Sequence, residues 1–158
     1  MDAALTREEV LSYLSHQGLG VLATVNADGT PEAALLNIAV SPQLEIIFET
    51  TNATRKFANL RRDPAAAFVV GWHDAQSLQL NGVVDEPSGR TLDRIKALFV
   101  ERYPAMASHQ VWPGNHYYRF TPSWCRLSNY NAPRRIVELE LGQPLRQKPG
   151  FWARLAKT

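Results

Sequence analysis

Three consecutive residues, Thr54, Arg55 and Lys56, place a hydroxyl group and two cations at the predicted start of a helix. A predicted strand runs into this helix, with Thr51 or Asn52 as the expected N-cap. The first N–H groups of a helix lack intrahelical partners and attract anions, whereas cations are disfavoured at this end. The pattern therefore predicts a phosphate site, and the alternative is a solvated basic turn.

The elements around this triplet are predominantly strands. Thr6–Glu9 fits a capping box that starts a short N-terminal helix. Asp28-Gly29 is a hairpin signal between the predicted strands 20–26 and 31–40. The apolar run 65–71 is typical of a central strand that is covered on both faces. The remaining predicted strands are Leu44–Thr50, Ser77–Asp85, Tyr117–Phe120, Trp124–Tyr130 and Ile136–Leu141.

We therefore expect a β-dominated α+β fold, with six to eight strands and two or three helices. A small barrel is favoured because closing the sheet removes exposed edges. One domain is expected over residues 1–141, followed by a basic tail over residues 142–158 that carries the apolar pair Phe151-Trp152. A solvated end and a short helix that docks on a partner both remain open for this tail.

Composition and charge exclude several functional classes. The net charge is +2, too small to favour nucleic acid as a partner. The plentiful Trp, Tyr and Arg residues leave a barrel that binds single strands as a rival interpretation. The chain has no apolar run long enough to cross a membrane, and its acidic N-terminus is unlike a secretory signal. We therefore expect no membrane partner.

Single residues that could do chemistry have simpler interpretations. Cys125 is the only cysteine, so no internal disulfide is possible and a reducing, cytoplasmic setting is expected. Its position on a predicted strand favours a buried apolar role over a nucleophilic one. The four histidines lack the spacing of metal ligands, and we expect no metal site.

The order and spacing of several short motifs resemble those of the pyridoxamine 5′-phosphate oxidase-like family of flavin-binding split β-barrels. The resemblance covers roughly residues 5 to 130. The motifs that carry it are Gly29-Thr-Pro-Glu-Ala-Ala-Leu-Leu, Ile46-Ile-Phe-Glu-Thr, Thr54-Arg-Lys, Asn59-Leu, Asp63-Pro and Leu78-Gln-Leu-Asn-Gly. It implies an antiparallel split β-barrel that forms a homodimer and binds FMN in two equivalent sites at the subunit interface.

The resemblance also implies roles for particular residues. Arg55 and Lys56 match the residues that hold the FMN phosphate, and the hydroxyl groups of Thr54 and Thr50 would donate hydrogen bonds to it. The backbone around Leu35, Leu36 and Asn37 would run beside the isoalloxazine ring. Ser77 or Gln79 would reach the flavin from the following hairpin, and the register leaves both open. The resemblance assigns no catalytic side chain.

Departures from the family pattern argue against oxidation of vitamin B6. The substrate-binding Arg and His signature has no counterpart in residues 124–158, and small apolar residues near Ala34 replace an Arg that precedes the flavin strand. Glu49 stands where relatives often carry an aromatic residue. We therefore predict an FMN-dependent oxidoreductase that acts on a small molecule, with NAD(P)H as the expected electron donor. The alternative is a non-catalytic module that binds flavin, haem through one His ligand, or a deazaflavin.

Overall fold

A computed structural model describes residues 4–142, which form one antiparallel sheet and the helices that pack against it. Its strands are β1 Leu19–Val25, β2 Pro31–Asn37, β3 Ala39–Val40, β4 Ile46–Thr51, β5 Ala65–Val70, β6 Gln76–Asp85, β7 Asn115–Asn129 and β8 Arg135–Glu140. Its helices are α1 Arg7–Ser15, α2 Arg55–Arg62, α3 Gly89–Arg102 and the 3₁₀ helix Pro104–Val111.

The sheet is a curled, split barrel. Its strand order is β2-β1-β5-β6-β7-β4-β3, and β8 pairs with β7. β2 approaches β4 without pairing with it, so the barrel is open between these two strands. The predicted β-dominated split barrel of six to eight strands is confirmed. The predicted capping box is present, because Thr6 and Glu9 each accept from the other's backbone N–H.

Two apolar clusters hold the strands and helices in place. The interior of the barrel is filled by side chains that include Leu22, Phe48, Phe68 and Phe120. The rings of Phe68 and Phe120 meet edge to face with centroids 5.0 Å apart. The second cluster lies between α3 and the other face of β4, and its buried members are Ala39, Ile47, Ile95, Phe99 and Tyr117.

The two strands predicted over 117–120 and 124–130 are one continuous strand, β7. Pro122 lies within it, although proline has no N–H to donate to a ladder. A register shift accommodates this residue: Asn81 pairs with Trp124 and Gly82 pairs with Pro122, which leaves Ser123 as the extra residue of a bulge. A Cβ at Gly82 would lie 2.2 Å from the backbone oxygen of Thr121, so only glycine fits there.

The prediction that strand 65–71 is covered on both faces is wrong for the single chain. Phe68 and Val70 are buried, but Val69 on the other face is 39% exposed. The same face of the neighbouring strands is also apolar and accessible. We call it the outer apolar face, and its residues are Leu19, Val21, Ala23 and Val25 of β1, Ala33 and Leu35 of β2, and Ala65, Ala67 and Val69 of β5.

The predicted strand 31–40 is interrupted at Ile38, whose N–H donates to the carbonyl oxygen of Gly18 at 3.0 Å. None of the helices between residues 4 and 142 has both the length and the apolar character that crossing a bilayer requires. The predicted tail lies outside the described residues, apart from Gly142.

Candidate functional site

Helix α2 begins later than the sequence predicts. Its N-cap is Thr54, whereas the expected caps lie before it: Thr51 is the last residue of β4, and Asn52 belongs to the turn between β4 and the helix. The N–H of Thr54 donates to the Thr51 carbonyl oxygen at 3.2 Å, which closes this turn. The Thr54 hydroxyl oxygen accepts from the Phe57 N–H at 3.4 Å and lies 3.0 Å from the Thr50 hydroxyl oxygen. The hydroxyl groups of Thr50 and Thr54 are therefore brought together at the helix start.

Lys56 lies on the β4 side of this helix start. Its Nζ donates to the Thr50 hydroxyl oxygen at 3.4 Å, and Thr50 is only 6% exposed. Partial burial of the ammonium group lowers the pKa of Lys56. No carboxylate between residues 4 and 142 forms an ion pair with it. Lys56 thus presents a partly desolvated positive charge that lacks a counterion within the described chain.

Arg55 points to a different strand. Its Nη2 lies 2.9 Å from Oε1 of Glu32 on β2, and the side chains of Arg55 and Glu32 are 82% and 18% exposed. The amide of Asn59 donates to Glu32 Oε2 at 2.9 Å and to the Thr24 hydroxyl oxygen at 3.0 Å. Glu32 is therefore a member of the site that the sequence analysis missed, because nothing in the local pattern pairs residue 32 with residue 55.

The two cations diverge because α2 places successive residues on different faces. Arg55, Asn59 and Arg62 follow helical spacing and all contact the β1–β2 hairpin. Arg62 does so by donating to the Val25 carbonyl oxygen. Lys56, one position further along, faces β4 instead. We call the opening of the barrel between β2 and β4 the cleft, and the start of α2 contacts both of these strands.

Strand β2 forms one wall of this cleft. Leu35 is 58% exposed, Leu36 packs against the barrel interior, and the amide of Asn37 lies 3.8 Å from the Met106 sulfur. All seven residues of β2 pair with β1, and in the described chain the other edge of β2 has no strand partner. Alternate backbone N–H and C=O groups of an antiparallel strand point to each edge. This edge can therefore hydrogen-bond a planar heterocycle.

Within one chain, Ser77 and Gln79 lie on β6, three strands away from β2. Cross-strand pairs connect Leu35 to Val21, Val21 to Val69 and Val69 to Gln79. Three strand spacings of about 4.8 Å therefore separate Gln79 from Leu35, which is about 14 Å when followed along the curled sheet. Ser77 and Gln79 are on the same side of the sheet as the outer apolar face.

Two His–Glu pairs near the cleft were also missed by the sequence analysis. His116 stands opposite Thr50 in the β4–β7 register, and its Nδ1 lies 2.5 Å from Glu86 Oε1. Glu49, on the other face of β4, lies 2.5 Å from Nδ1 of His109. Both pairs join residues at least 30 positions apart, so no sequence spacing could have indicated them. Residues 4–142 contain no cluster of His, Cys, Asp and Glu arranged to hold a metal.

A groove of about 390 Å³ lies next to the outer apolar face, away from Lys56. Small side chains line it, including those of Ala23 and Ala67, together with Asn81, Gly82 and Pro122. The bulge that Gly82 and Pro122 form therefore also shapes the groove. Its walls come from strands that are accessible in the single chain, so it offers room for side chains of another molecule.

Comparisons with solved structures show the same fold. A heme-binding protein from Mycobacterium smegmatis matches with a TM-score of 0.75 at 18% identity, over 86% of this chain and 60% of that one. A heme storage protein from Vibrio cholerae matches with a TM-score of 0.64 at 16% identity, over 73% of this chain and 89% of that one. A conserved hypothetical protein from Mycobacterium tuberculosis matches with a TM-score of 0.64 at 24% identity, over 94% of this chain and 95% of that one.

The chain spans about three fifths of the length of the M. smegmatis protein and of a protein of unknown function from Agrobacterium tumefaciens. The family model described as pyridoxamine 5′-phosphate oxidase matches residues 6–141, which is most of the chain. This range contains β1 to β8 and the start of α2 with its cations. The chain therefore belongs to the pyridoxamine 5′-phosphate oxidase family.

Proposed function

We propose that the protein binds FMN without a covalent link, as a homodimer, and transfers hydride between NAD(P)H and a small molecule. Residues 1–141 would form the FMN-binding domain. The observation that carries the proposal is the ammonium group of Lys56, which lacks a carboxylate partner in the described chain and lies beside Thr50 at the start of α2. A phosphate there would receive charge-assisted hydrogen bonds, which are stronger than those between neutral groups.

The residues of the cleft fit the other parts of FMN. In the described chain one edge of β2 is unpaired, and around Leu35, Leu36 and Asn37 it offers backbone donors and acceptors to the polar edge of the isoalloxazine ring. Arg55 is 82% exposed, so its guanidinium can turn from Glu32 towards a phosphate oxygen. The Thr54 hydroxyl remains close to the same position.

The outer apolar face supports a homodimer. Its exposed side chains include Leu19, Val25, Leu35 and Val69, and a contiguous apolar surface of this kind marks an interaction site. A second chain that packs on this face would also bring its own Ser77 or Gln79 towards the cleft. In this arrangement each flavin would contact both chains.

Once bound, the flavin would supply the redox chemistry, by accepting a hydride from NAD(P)H and passing it to the small-molecule substrate. Lys56, Arg55, Thr50 and Thr54 would hold the phosphate, and β2 would orient the ring. The partner's apolar surface would exclude water from the ring. No side chain of the chain itself is required to hold or move a proton. We place this activity in a reducing, cytoplasmic setting, which the single buried thiol of Cys125 supports.

The second candidate is a non-catalytic module that binds haem. His116 favours it, because a metal-ligating histidine usually hydrogen-bonds a carboxylate through its other ring nitrogen. Its Nδ1 lies 2.5 Å from Glu86 Oε1, and its side chain is 27% exposed. Two solved neighbours are described as heme-binding and heme storage proteins.

An absorbance spectrum of the purified protein separates the candidates, since flavin absorbs at about 450 nm and haem shows an intense Soret band. Titration with FMN and with riboflavin then tests the anchor. In Lys56→Met the affinity for FMN should fall by about tenfold or more, equivalent to about 1.5 kcal/mol, because a charge-assisted contact is lost. Binding of riboflavin, which lacks the phosphate, should not change.

The matched control is Arg90→Met, which removes an exposed cation from the first turn of α3. This variant should bind FMN as the wild type does. An unchanged affinity of Lys56→Met for FMN would show that the anchor has been placed incorrectly. A Soret band without any flavin binding would instead support the haem module.

A further inference from the structure

We propose that Glu32 is a specificity-determining residue that weakens the preference of the anchor for phosphorylated over unphosphorylated flavins. The inference rests on the proposed function and concerns the same site. Its starting observation is that Arg55, which the family pattern assigns to the phosphate, is paired instead with Glu32 at 2.9 Å.

Glu32 is a fixed part of the fold, whereas Arg55 is the exposed partner. The Glu32 carboxylate accepts from the amide of Asn59, a residue that is 5% exposed, and from the amide of Asn26 at 3.4 Å. Asn59 is itself held by the hydroxyl group of Thr24, which is 3% exposed. The negative charge is therefore built into the site and cannot leave when a ligand enters.

The charge of the anchor follows from this arrangement. Arg55 and Lys56 together contribute two positive charges, and Glu32 offsets one of them. A phosphate monoester that carries close to two negative charges would meet a site with a net charge of only +1. A phosphate oxygen on Arg55 would also lie near the Glu32 carboxylate, and like charges at short range repel.

Riboflavin has no phosphate, so Glu32 should not affect its binding. The ratio of the dissociation constants for riboflavin and FMN therefore isolates the contribution of the phosphate. Glu32 should make the ratio of the riboflavin to the FMN dissociation constant smaller than it would be with Arg55 and Lys56 alone. The site would thus retain FMN less tightly and exchange it more readily.

Glu32→Gln is the direct test, because glutamine keeps an acceptor for Asn59 while removing the charge. The affinity for FMN should increase by about tenfold, and the affinity for riboflavin should stay within about twofold of the wild type. The control Glu101→Gln removes a carboxylate from α3 and should change neither affinity. Either of two outcomes would overturn the proposal. An unchanged affinity for FMN in Glu32→Gln would show that the carboxylate does not act on the phosphate, and a lower affinity would show that Glu32 positions Arg55 for binding.

A second comparison does not depend on substituting Glu32. If Glu32 offsets the charge of Arg55, then Arg55→Met should reduce the affinity for FMN less than Lys56→Met does. An equal or larger loss in Arg55→Met would contradict the inference. A wild type that binds neither flavin would refute the proposed function.

Thermal stabilisation by inorganic phosphate tests Glu32 without any flavin. An anion that binds the folded state raises the melting temperature according to its affinity. Inorganic phosphate should therefore stabilise Glu32→Gln more than the wild type. Equal stabilisation of the two proteins would overturn the role of Glu32, independently of the outcome for flavins.

Discussion

At the scale of single residues, Lys56 and Arg55 are adjacent in sequence but differ in their surroundings. Lys56 is partly buried, contacts only a neutral hydroxyl group and has no carboxylate partner among residues 4–142. Arg55 is exposed and already paired with Glu32. Because a partly desolvated charge without a counterion gains most from an incoming anion, we expect Lys56 to contribute more to phosphate binding than Arg55.

The lowered pKa of Lys56 makes binding of FMN sensitive to alkaline pH. Burial favours the neutral amine, so the ammonium group deprotonates below its ordinary pKa of 10.5. The affinity for FMN should therefore be highest below that lowered pKa and should fall as the pH rises through it. Fluorescence titrations of FMN between neutral pH and about pH 10 would measure this loss.

Lys56→Arg provides the control for this pH dependence, since arginine stays charged at every accessible pH. Its affinity for FMN should show no alkaline loss, and the affinity of the wild type for riboflavin should be flat over the same range. A loss of FMN affinity in Lys56→Arg that matches the wild type would assign the titration to another group.

Cys125 should be chemically inert in the folded protein. It is fully buried, and burial together with the nearby Glu140 raises its pKa to about 11. A thiol reagent at about pH 8 should therefore modify no cysteine in the native protein and one after unfolding, because the thiolate is the reactive form. Rapid labelling of the native protein would contradict the buried position of this residue.

At the scale of elements, local patterns predicted the strands and helices well, and misplaced the features that depend on distant residues. The capping box at Thr6 is a purely local signal, and it is confirmed. The predicted N-cap of α2 was wrong by two or three residues, because Thr51, Asn52 and Thr54 can all cap a helix. The N–H of Asn52 donates to the carbonyl oxygen of Gly114, a distant residue that no local pattern could indicate. Glu32 was not predicted as a site residue, because its partners Arg55 and Asn59 lie on α2, far from it in sequence.

The bulge of β7 should tolerate no side chain at position 82. In Gly82→Ala the new Cβ would be forced against the Thr121 carbonyl oxygen and the Pro122 backbone. We expect the free energy of unfolding to fall by about 2 kcal/mol or more, within the range seen for overpacking, as measured by urea denaturation. Gly142→Ala is the control, since a Cβ there would meet no atom within 4 Å. Equal stability of the two variants would show that the bulge relaxes freely.

At the scale of the whole molecule, the outer apolar face is where the proposed homodimer can be tested. Val69→Arg would place a charge in the middle of this face, where burial against a partner would be costly. We expect this variant to be monomeric and to bind flavin more weakly, as measured by light scattering coupled to size-exclusion chromatography. Val111→Arg, at an 83% exposed position on the 3₁₀ helix, should leave the mass unchanged. If the Val69→Arg protein is still dimeric, the interface lies on another surface.

One edge of β2 has no strand partner among residues 4–142, and this affects how the protein is produced in cells. An accessible strand edge with apolar residues such as Leu35 is a template on which further chains can add. A heterocycle bound along that edge would occupy the same backbone groups and so protect newly made chains from aggregating. Cultures starved of riboflavin should therefore yield more of this protein in inclusion bodies than supplemented ones.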